Sequence, residues 1–270
     1  MKHINTKCPA KINLFLKVLD KRIDGYHNIE TSFQLIDLYD FMSFEKISNE
    51  IIIESDSDFL KDKNNTIYSS VLKVKEFLMD KKYGVKINIK KNIPIGSGMG
   101  GASSNAASTI MALNKLWELN LGRNKLSTIA KKVGADVPFF IFGKNALGSG
   151  IGEKLKEISS IKNKILIIDP MIHTSSKNMF GLLEKQKKNE QSSLYVQNHF
   201  WDILIKENKE IKAFIEKFNK DNLINLTGSG SCMFICYKKD EEVAEIIKKI
   251  PSKWRLFFCK PLQYSPICYI

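Results

Sequence analysis

Apolar and polar residues alternate from Cys8 to Val18: Cys8, Ala10, Ile12, Leu14, Leu16 and Val18 fall on one face, Lys11, Asn13, Phe15 and Lys17 on the other. Successive side chains of a strand point to opposite faces, so this period of two predicts a strand and sets Lys11 beside Asn13. Asp24-Gly25 predicts a turn, and strand-like stretches follow at 31–36, 41–47 and 50–54. Over 66–83, Ile67, Val71, Val74 and Leu78 share one stripe, which predicts an amphipathic helix. Val85, Ile87 and Ile89 alternate with Lys86, Asn88 and Lys90, a further strand that runs into a glycine- and serine-rich stretch over 93–105. A helix is expected from Ala106 onward, and a second one, capped by Asn124, that ends at Gly134.

The later half predicts a hairpin or loop at 146–152, a strand at 165–169, and helices at 175–185, 193–207 and 209–218. A mixed region over 226–262 contains a strand at 233–237. The pattern changes near residue 155, which predicts two domains, 1–155 and 156–270.

Composition narrows the class. A chain of 270 residues, 43% hydrophobic and 26% charged, has ample material for one large domain or two closely packed ones. Its 15 glycines and 7 prolines are too few for a low-complexity chain. No apolar run approaches the roughly 18 residues of a membrane helix, and Lys2, Lys7, Lys11 and Lys17 interrupt any signal-like start. Five cysteines with no C-x-x-C pair point to a reduced, cytoplasmic protein. None of the four histidines pairs with a cysteine at zinc-ligand spacing. The net charge of +13 raises nucleic acid as a partner. The lysines, however, are spread in doublets such as Lys81-Lys82 and Lys90-Lys91, with no basic stripe interleaved with aromatics.

The glycine-rich stretch carries the chemistry. Gly96-Ser97-Gly98-Met99-Gly100-Gly101 ahead of an alanine-rich helix offers backbone N–H groups and a positive helix end, a cradle for phosphate. Gly96-x-Gly98-x-x-Gly101 matches the dinucleotide fingerprint, but Leu121, Gly122 and Arg123 stand where that site needs a carboxylate. The same glycines begin like a P-loop, yet Ala102 replaces its lysine. Neither H-R-D nor D-F-G occurs, against a protein kinase. Phosphoryl transfer also needs a cation near the migrating phosphate and a base for the acceptor hydroxyl. Lys11 and Asp136 are candidates, although Lys11 could be a solvated strand lysine and Asp136 could merely cap a turn.

Pro9-Ala10-Lys11-Ile12-Asn13-Leu14, the 94–107 loop, Gly134-Ala135-Asp136-Val137-Pro138 and Leu226-Thr227-Gly228-Ser229-Gly230 occur in that order. Together they resemble the motifs of the GHMP small-molecule kinases, and the resemblance spans nearly the whole chain. Asp24-Gly25-Tyr26-His27 narrows it to members acting on a cytidine-diphosphate-linked polyol. The resemblance implies an α+β fold, with a ribosomal-protein-S5-domain-2-like N-terminal domain that binds ATP and a ferredoxin-like C-terminal domain. The active site would lie in the cleft between them. It implies a Mg²⁺-dependent transfer of the γ-phosphate of ATP to the 2-hydroxyl of a methylerythritol unit, on the non-mevalonate isoprenoid route. The partners implied are small molecules, with no membrane, and the chain would act as a monomer or homodimer.

By motif position in that family, Asp136 accepts the hydroxyl proton, while Lys11 keeps Asp136 ionised and neutralises the phosphoryl oxygens. Asn13 positions the substrate. Pro94, Ile95, Gly96, Ser97, Gly98, Met99, Gly100, Gly101, Ala102, Ser103 and Ser104 hold the ATP phosphates, with Ser103 and Ser104 near phosphate or metal. The metal's ligands stay open. Gly228, Ser229 and Gly230 close over the reacting end. Tyr26 stacks on the cytosine, His27 hydrogen-bonds its edge and Phe180 stacks on the other face. Departures include Ala102, strained if its φ is positive, and Pro170-Met171 where Pro-Gly is usual. Two rivals stay open: a GHMP kinase for homoserine, mevalonate or a sugar, and an S5-like nucleic-acid-binding protein.

Overall fold

The computed structural model describes residues 2–56, 65–79, 82–187, 197–218 and 223–269. The alternating N-terminal segment forms β1 (His3–Lys21), longer than its period of two predicts, and turns at Asp24-Gly25 into β2 (His27–Ser48). β2 joins the two stretches expected at 31–36 and 41–47. The β1–β2 register shifts between Pro9 and Ala10 and again between Asn13 and Phe15, and such bulges bend and re-aim a strand. The chain continues through β3 (Ile51–Ser55), α1 (Thr66–Lys75), β4 (Tyr83–Lys90), α2 (Gly101–Leu116), α3 (Arg123–Lys131), α4 (Val137–Phe142), β5 (Ala146–Ser149) and β6 (Lys154–Glu157). The first sheet runs β3-β4-β2-β5-β6, with β1 also paired to β2.

The second half contributes β7 (Lys164–Asp169), α5 (Ser176–Lys187), α6 (Trp201–Glu207), α7 (Lys209–Phe218), β8 (Asn225–Leu226), β9 (Met233–Tyr237), α8 (Glu241–Ile247) and β10 (Arg255–Cys259). These strands form an antiparallel sheet in the order β10-β7-β9-β8, the order of a ferredoxin-like sheet. The chain then returns to the first sheet as β11 (Pro261–Leu262) beside β2, and a 3-10 turn at Pro266–Tyr269 buries Ile267. The last hairpin of the first sheet ends at Glu157, just past the division expected at 155.

Each sheet packs its helices over its own apolar cluster, one including Phe44, Phe139 and Phe140, the other Phe200, Phe214 and Trp254. A third cluster spans the two: Ala10, Ile12 and Ile36 from the first sheet meet Ile165, Ile167 and Phe234 from the second, with Ile93 and Met99 between. This shared core joins the two walls of the cleft.

Several elements differ from their expected bounds. The 66–83 helix ends at Lys75, and Tyr83 already starts β4; residues 80–81 lie outside the described residues. The helix expected from Ala106 begins at Gly101 instead, because Gly100 takes a left-handed φ of 72° at the N-cap. Ala102, Ser103 and Ser104 therefore form its first turn, and Ala102 needs no positive φ. Gly122 rather than Asn124 caps α3. Of the helix expected at 193–207, residues 193–196 lie outside the described residues and α6 covers 201–207. All five cysteines are free thiols, and burial pushes those of Cys8 and Cys259 up to about 12.

Candidate active site

Lys11 sits on the polar face of β1, yet its side chain is only 3% exposed, because the glycine-rich loop and α4 cover that face. Its Nζ donates to Asn13 Oδ1 at 2.6 Å and to the Gly98 carbonyl at 2.9 Å, and lies 3.5 Å from Asp136 Oδ2. It also stands 5.6 Å over the ring of Phe33. Burial pulls the Lys11 ammonium below its ordinary value, and the Asp136 carboxylate offsets only part of that pull. The Asn13 carboxamide is engaged at both ends: Oδ1 accepts from Lys11, and Nδ2 donates to Thr31 Oγ1 at 2.7 Å. Thr31 in turn donates to the Phe15 carbonyl at 2.7 Å. Thr31, Asn13 and Lys11 thus form one chain of hydrogen bonds across β1 and β2.

Asp136 occupies the N-cap position of α4, but its side chain makes no cap hydrogen bond. Instead it reaches Lys11 and stays 32% exposed to the cleft. The reading of Asp136 as a turn cap therefore loses to the reading of it as a partner of Lys11.

The glycine-rich loop is held from behind. Gly96, Gly98 and Gly100 all take left-handed φ values, of 65°, 77° and 72°. The carbonyls of Gly96, Ser97, Gly98 and Met99 accept, in order, from Thr174, Cys232, the Lys11 side chain and the Lys11 backbone. With those oxygens turned into the protein, the loop enters α2 in the arrangement that suits an anion at a helix N-terminus. The second glycine loop docks directly on the first: a Cβ on Gly98 would lie 2.1 Å from the Thr227 carbonyl, and one on Gly228 2.6 Å from the Gly98 carbonyl. Ser229 Oγ lies 2.8 Å from Ser176 Oγ at the start of α5.

At the opposite end, Asp24 accepts from the Arg22 guanidinium and from the Tyr26 backbone N–H at 3.2 Å, which shapes the β1–β2 turn. Tyr26 is 57% exposed. The His27 ring stacks on Phe180 at 5.2 Å with its Nε2 3.5 Å from Glu184 Oε1, and Phe180 meets Phe200 edge-on at 4.9 Å. Phe180 and Glu184, both on α5, thus flank the His27 ring.

Most of the candidate site residues line one cleft of about 1070 Å³ between the two sheets. Its lining includes Lys11, Asn13, Tyr26, His27, Asp136, Phe180, Gly228, Ser229 and, from the loop, Pro94, Ile95, Gly96, Ser97, Gly98, Gly100, Gly101, Ala102 and Ser103. Met99, Ser104 and Gly230 stand behind the wall: Met99 is in the shared core, Ser104 is buried in α2, and Gly230 packs on Leu204 and Leu226. The cleft also takes in Asn65, Thr66, Lys91, Asn105 and Glu184, which the sequence reading did not single out. Their signal was faint: Lys91 stood out only as half of a basic doublet.

Among the described residues no cluster of three or more metal-binding side chains occurs. Mg²⁺ commonly takes one or two protein groups and draws its other ligands from phosphates and water. The Ser103 hydroxyl on the cleft wall fits it, and the Ser104 hydroxyl behind it is buried without a hydrogen-bond partner among the described residues.

Residues 65–144 match the GHMP kinases N terminal domain, and residues 178–256 the GHMP kinases C terminal domain. A 4-diphosphocytidyl-2-C-methyl-D-erythritol kinase of Wigglesworthia glossinidia brevipalpis is 38% identical, with 97% of this chain and 91% of that protein covered. Its counterpart in Francisella philomiragia is 34% identical, with 97% of each covered. A crystal structure of 4-(cytidine 5'-diphospho)-2C-methyl-D-erythritol kinase superposes with a TM-score of 0.75 at 25% identity, over 95% of this chain and 99% of that one. Homoserine kinase from Cytophaga hutchinsonii shares the fold at 16% identity, with a TM-score of 0.67 over 98% of this chain and 96% of that one. Motifs, strand orders and near-full-length relatives agree: the chain belongs to the GHMP kinases, alongside the 4-diphosphocytidyl-2-C-methyl-D-erythritol kinases.

Proposed function

We propose that this kinase transfers the γ-phosphate of ATP to the 2-hydroxyl of 4-diphosphocytidyl-2-C-methyl-D-erythritol, in the cytoplasm, as a step of non-mevalonate isoprenoid precursor synthesis. The observation that carries the reading is the buried Lys11 Nζ 3.5 Å from Asp136 Oδ2, set between a glycine-rich helix N-terminus and the Tyr26–His27–Phe180 end of one cleft. Phosphoryl transfer asks mainly for positioning and electrostatic stabilisation, and each wall supplies part of it. Residues 1–155 supply the donor site and the reacting pair, and residues 156–270 the opposite wall.

Asp136 takes the proton of the acceptor hydroxyl as its oxygen bonds to the γ-phosphorus and the bond to ADP breaks. Lys11 offsets the charge that grows on the equatorial oxygens, an effect that is large in a dry site. The loop from Pro94 to Ser103 holds the phosphates through backbone N–H groups at the start of α2. Ser103, on the cleft wall at the start of α2 with the unpartnered Ser104 hydroxyl behind it, is the group that would hold Mg²⁺, which when bound would neutralise phosphate charge. Asn13 acts on the substrate side through the Lys11 it holds. Tyr26 and Phe180 offer aromatic faces to the cytosine, His27 its edge, and Gly228, Ser229 and Gly230 close the reacting end. The partners are small molecules; among the described residues no helix is long and apolar enough to cross a membrane.

The test is ADP release with MgATP, comparing the cytidyl polyol with homoserine, mevalonate and galactose. Turnover with the cytidyl polyol alone is expected. Turnover with another alcohol instead would keep the kinase and discard the cytosine end, and silence with all four would overturn the acceptor class.

A further inference from the structure

A buried carboxylate with no place in the proposed chemistry touches three parts of the donor end at once. Asp40, on β2, is fully buried. Its Oδ1 accepts from the backbone N–H groups of Asn92 at 2.8 Å and Ile93 at 2.9 Å, the two residues directly ahead of Pro94. Its Oδ2 accepts from Asn105 Nδ2 at 3.0 Å and is paired with the Lys91 ammonium. Lys91 Nζ also donates to Asn105 Oδ1 at 2.9 Å. Four donors therefore converge on one carboxylate, from the loop entry, the second turn of α2 and the end of β4.

The geometry at Lys91 shows what this arrangement is for. The side chain is 10% exposed, and both Lys91 and Asn105 line the cleft. A Cβ on Gly101 would lie 3.3 Å from Lys91 Nζ, so the ammonium stands against the first residue of α2, whereas the neighbouring Gly100 faces Lys11. An ammonium has three N–H donors; Asp40 and Asn105 take two, which leaves one donor on a residue that lines the cleft. A flexible lysine stem ordinarily lets its head wander, whereas this one is tied at its charged end.

We propose that Asp40 is a positioning residue for the donor nucleotide: it fixes Lys91 as a second cation of the cleft, separate from the Lys11–Asp136 pair. This rests on the reading that the cleft takes ATP. Asp40 itself touches no substrate, and its effect passes through Lys91. The account differs from a purely structural role in two ways: removing Asp40 should weaken nucleotide binding selectively, and the loss should vanish once Lys91 is gone.

The experiment is calorimetric titration of the whole protein with a non-hydrolysable ATP analogue and Mg²⁺, and separately with the cytidyl polyol. It compares wild type, Lys91→Met, Asp40→Asn and the double variant. Each single variant is expected to bind the analogue about tenfold more weakly, and the double variant no more than about twofold below either. Cytidyl polyol affinity should stay within about twofold of wild type. Full multiplication of the two losses would overturn the proposal, as would equal losses for both ligands. Lys91→Met binding the analogue like wild type would also overturn it, whether or not Asp40→Asn folds. Wild type failing to bind the analogue would overturn the donor reading itself, an outcome distinct from these.

Discussion

Lys11 illustrates how a side chain's surroundings decide its chemistry. A lysine on the polar face of a strand is ordinarily solvated, but here the loop carbonyl of Gly98 and the carboxamide of Asn13 take the place of water. Burial lowers its folded-state pKa below the ordinary 10.5. Between those two values the unfolded chain binds more protons than the folded one, so the contribution to stability rises with pH across that window. Catalysis runs the other way, since it needs the ammonium. We predict that kcat/KM falls as pH rises, with the alkaline limb below 10.5, and that Lys11→Arg, slower overall, removes the limb because its guanidinium stays charged. A pH–rate profile flat up to 10.5 in wild type would contradict this. The sequence makes Lys11 and Asn13 neighbours through simple alternation. It does not show that they are buried, because the covering atoms come from Gly98, Thr227 and Asp136, far along the chain.

At the scale of elements, the two glycine loops work as one unit. Thr227 and Gly98 meet backbone to backbone, and both Gly98 and Gly228 hold left-handed φ values. Gly98→Ala would place a methyl group 2.1 Å from the Thr227 carbonyl and add backbone strain of about 1–3 kcal/mol. Expected outcomes are a melting temperature lower by several degrees and an ATP KM raised by about tenfold, read from thermal unfolding and initial rates. An unchanged KM for ATP would break the link between the loop–loop contact and the donor site. The loops themselves were legible, since clustered glycines before an alanine-rich helix have a physical meaning. Two short helices were not. In α4, Val137 to Ile141 are all buried, so no amphipathic period exists to read, and α8 spans only Glu241–Ile247. Helix α2 starts earlier than expected because Gly100, not a side-chain cap, begins it.

Taken as a whole molecule, the enzyme depends on its two sheets keeping one separation. The shared apolar core spans both sheets, and a buried polar knot joins them as well. Gln34 Nε2 donates to the carbonyls of Leu35 and Leu262 and toward Asn145 and Ser160, while its Oε1 accepts from the Ile161 N–H. One side chain thus ties β2, the inter-sheet linker and the returning tail. Gln34→Leu strands several buried polar groups at about 1–3 kcal/mol each, so a loss of roughly 2–5 kcal/mol is expected from urea unfolding. A loss under about 0.5 kcal/mol would show that the knot is not needed to hold the domains. The apolar alternation at 85–89 and the mostly apolar stretches at 165–169 and 233–237 made strands of both sheets legible from sequence. The return of the chain at Pro261 was not, because a two-residue strand carries no periodicity and its partners lie more than 200 residues away.

The central claim is that Asp136, held by Lys11, is the base for phosphoryl transfer to the cytidyl polyol. The most direct test measures turnover of that substrate and MgATP affinity together in wild type and Asp136→Asn. The account predicts that turnover falls by about 10²–10⁴-fold while ATP affinity stays within about threefold. Turnover near wild type in Asp136→Asn would contradict it.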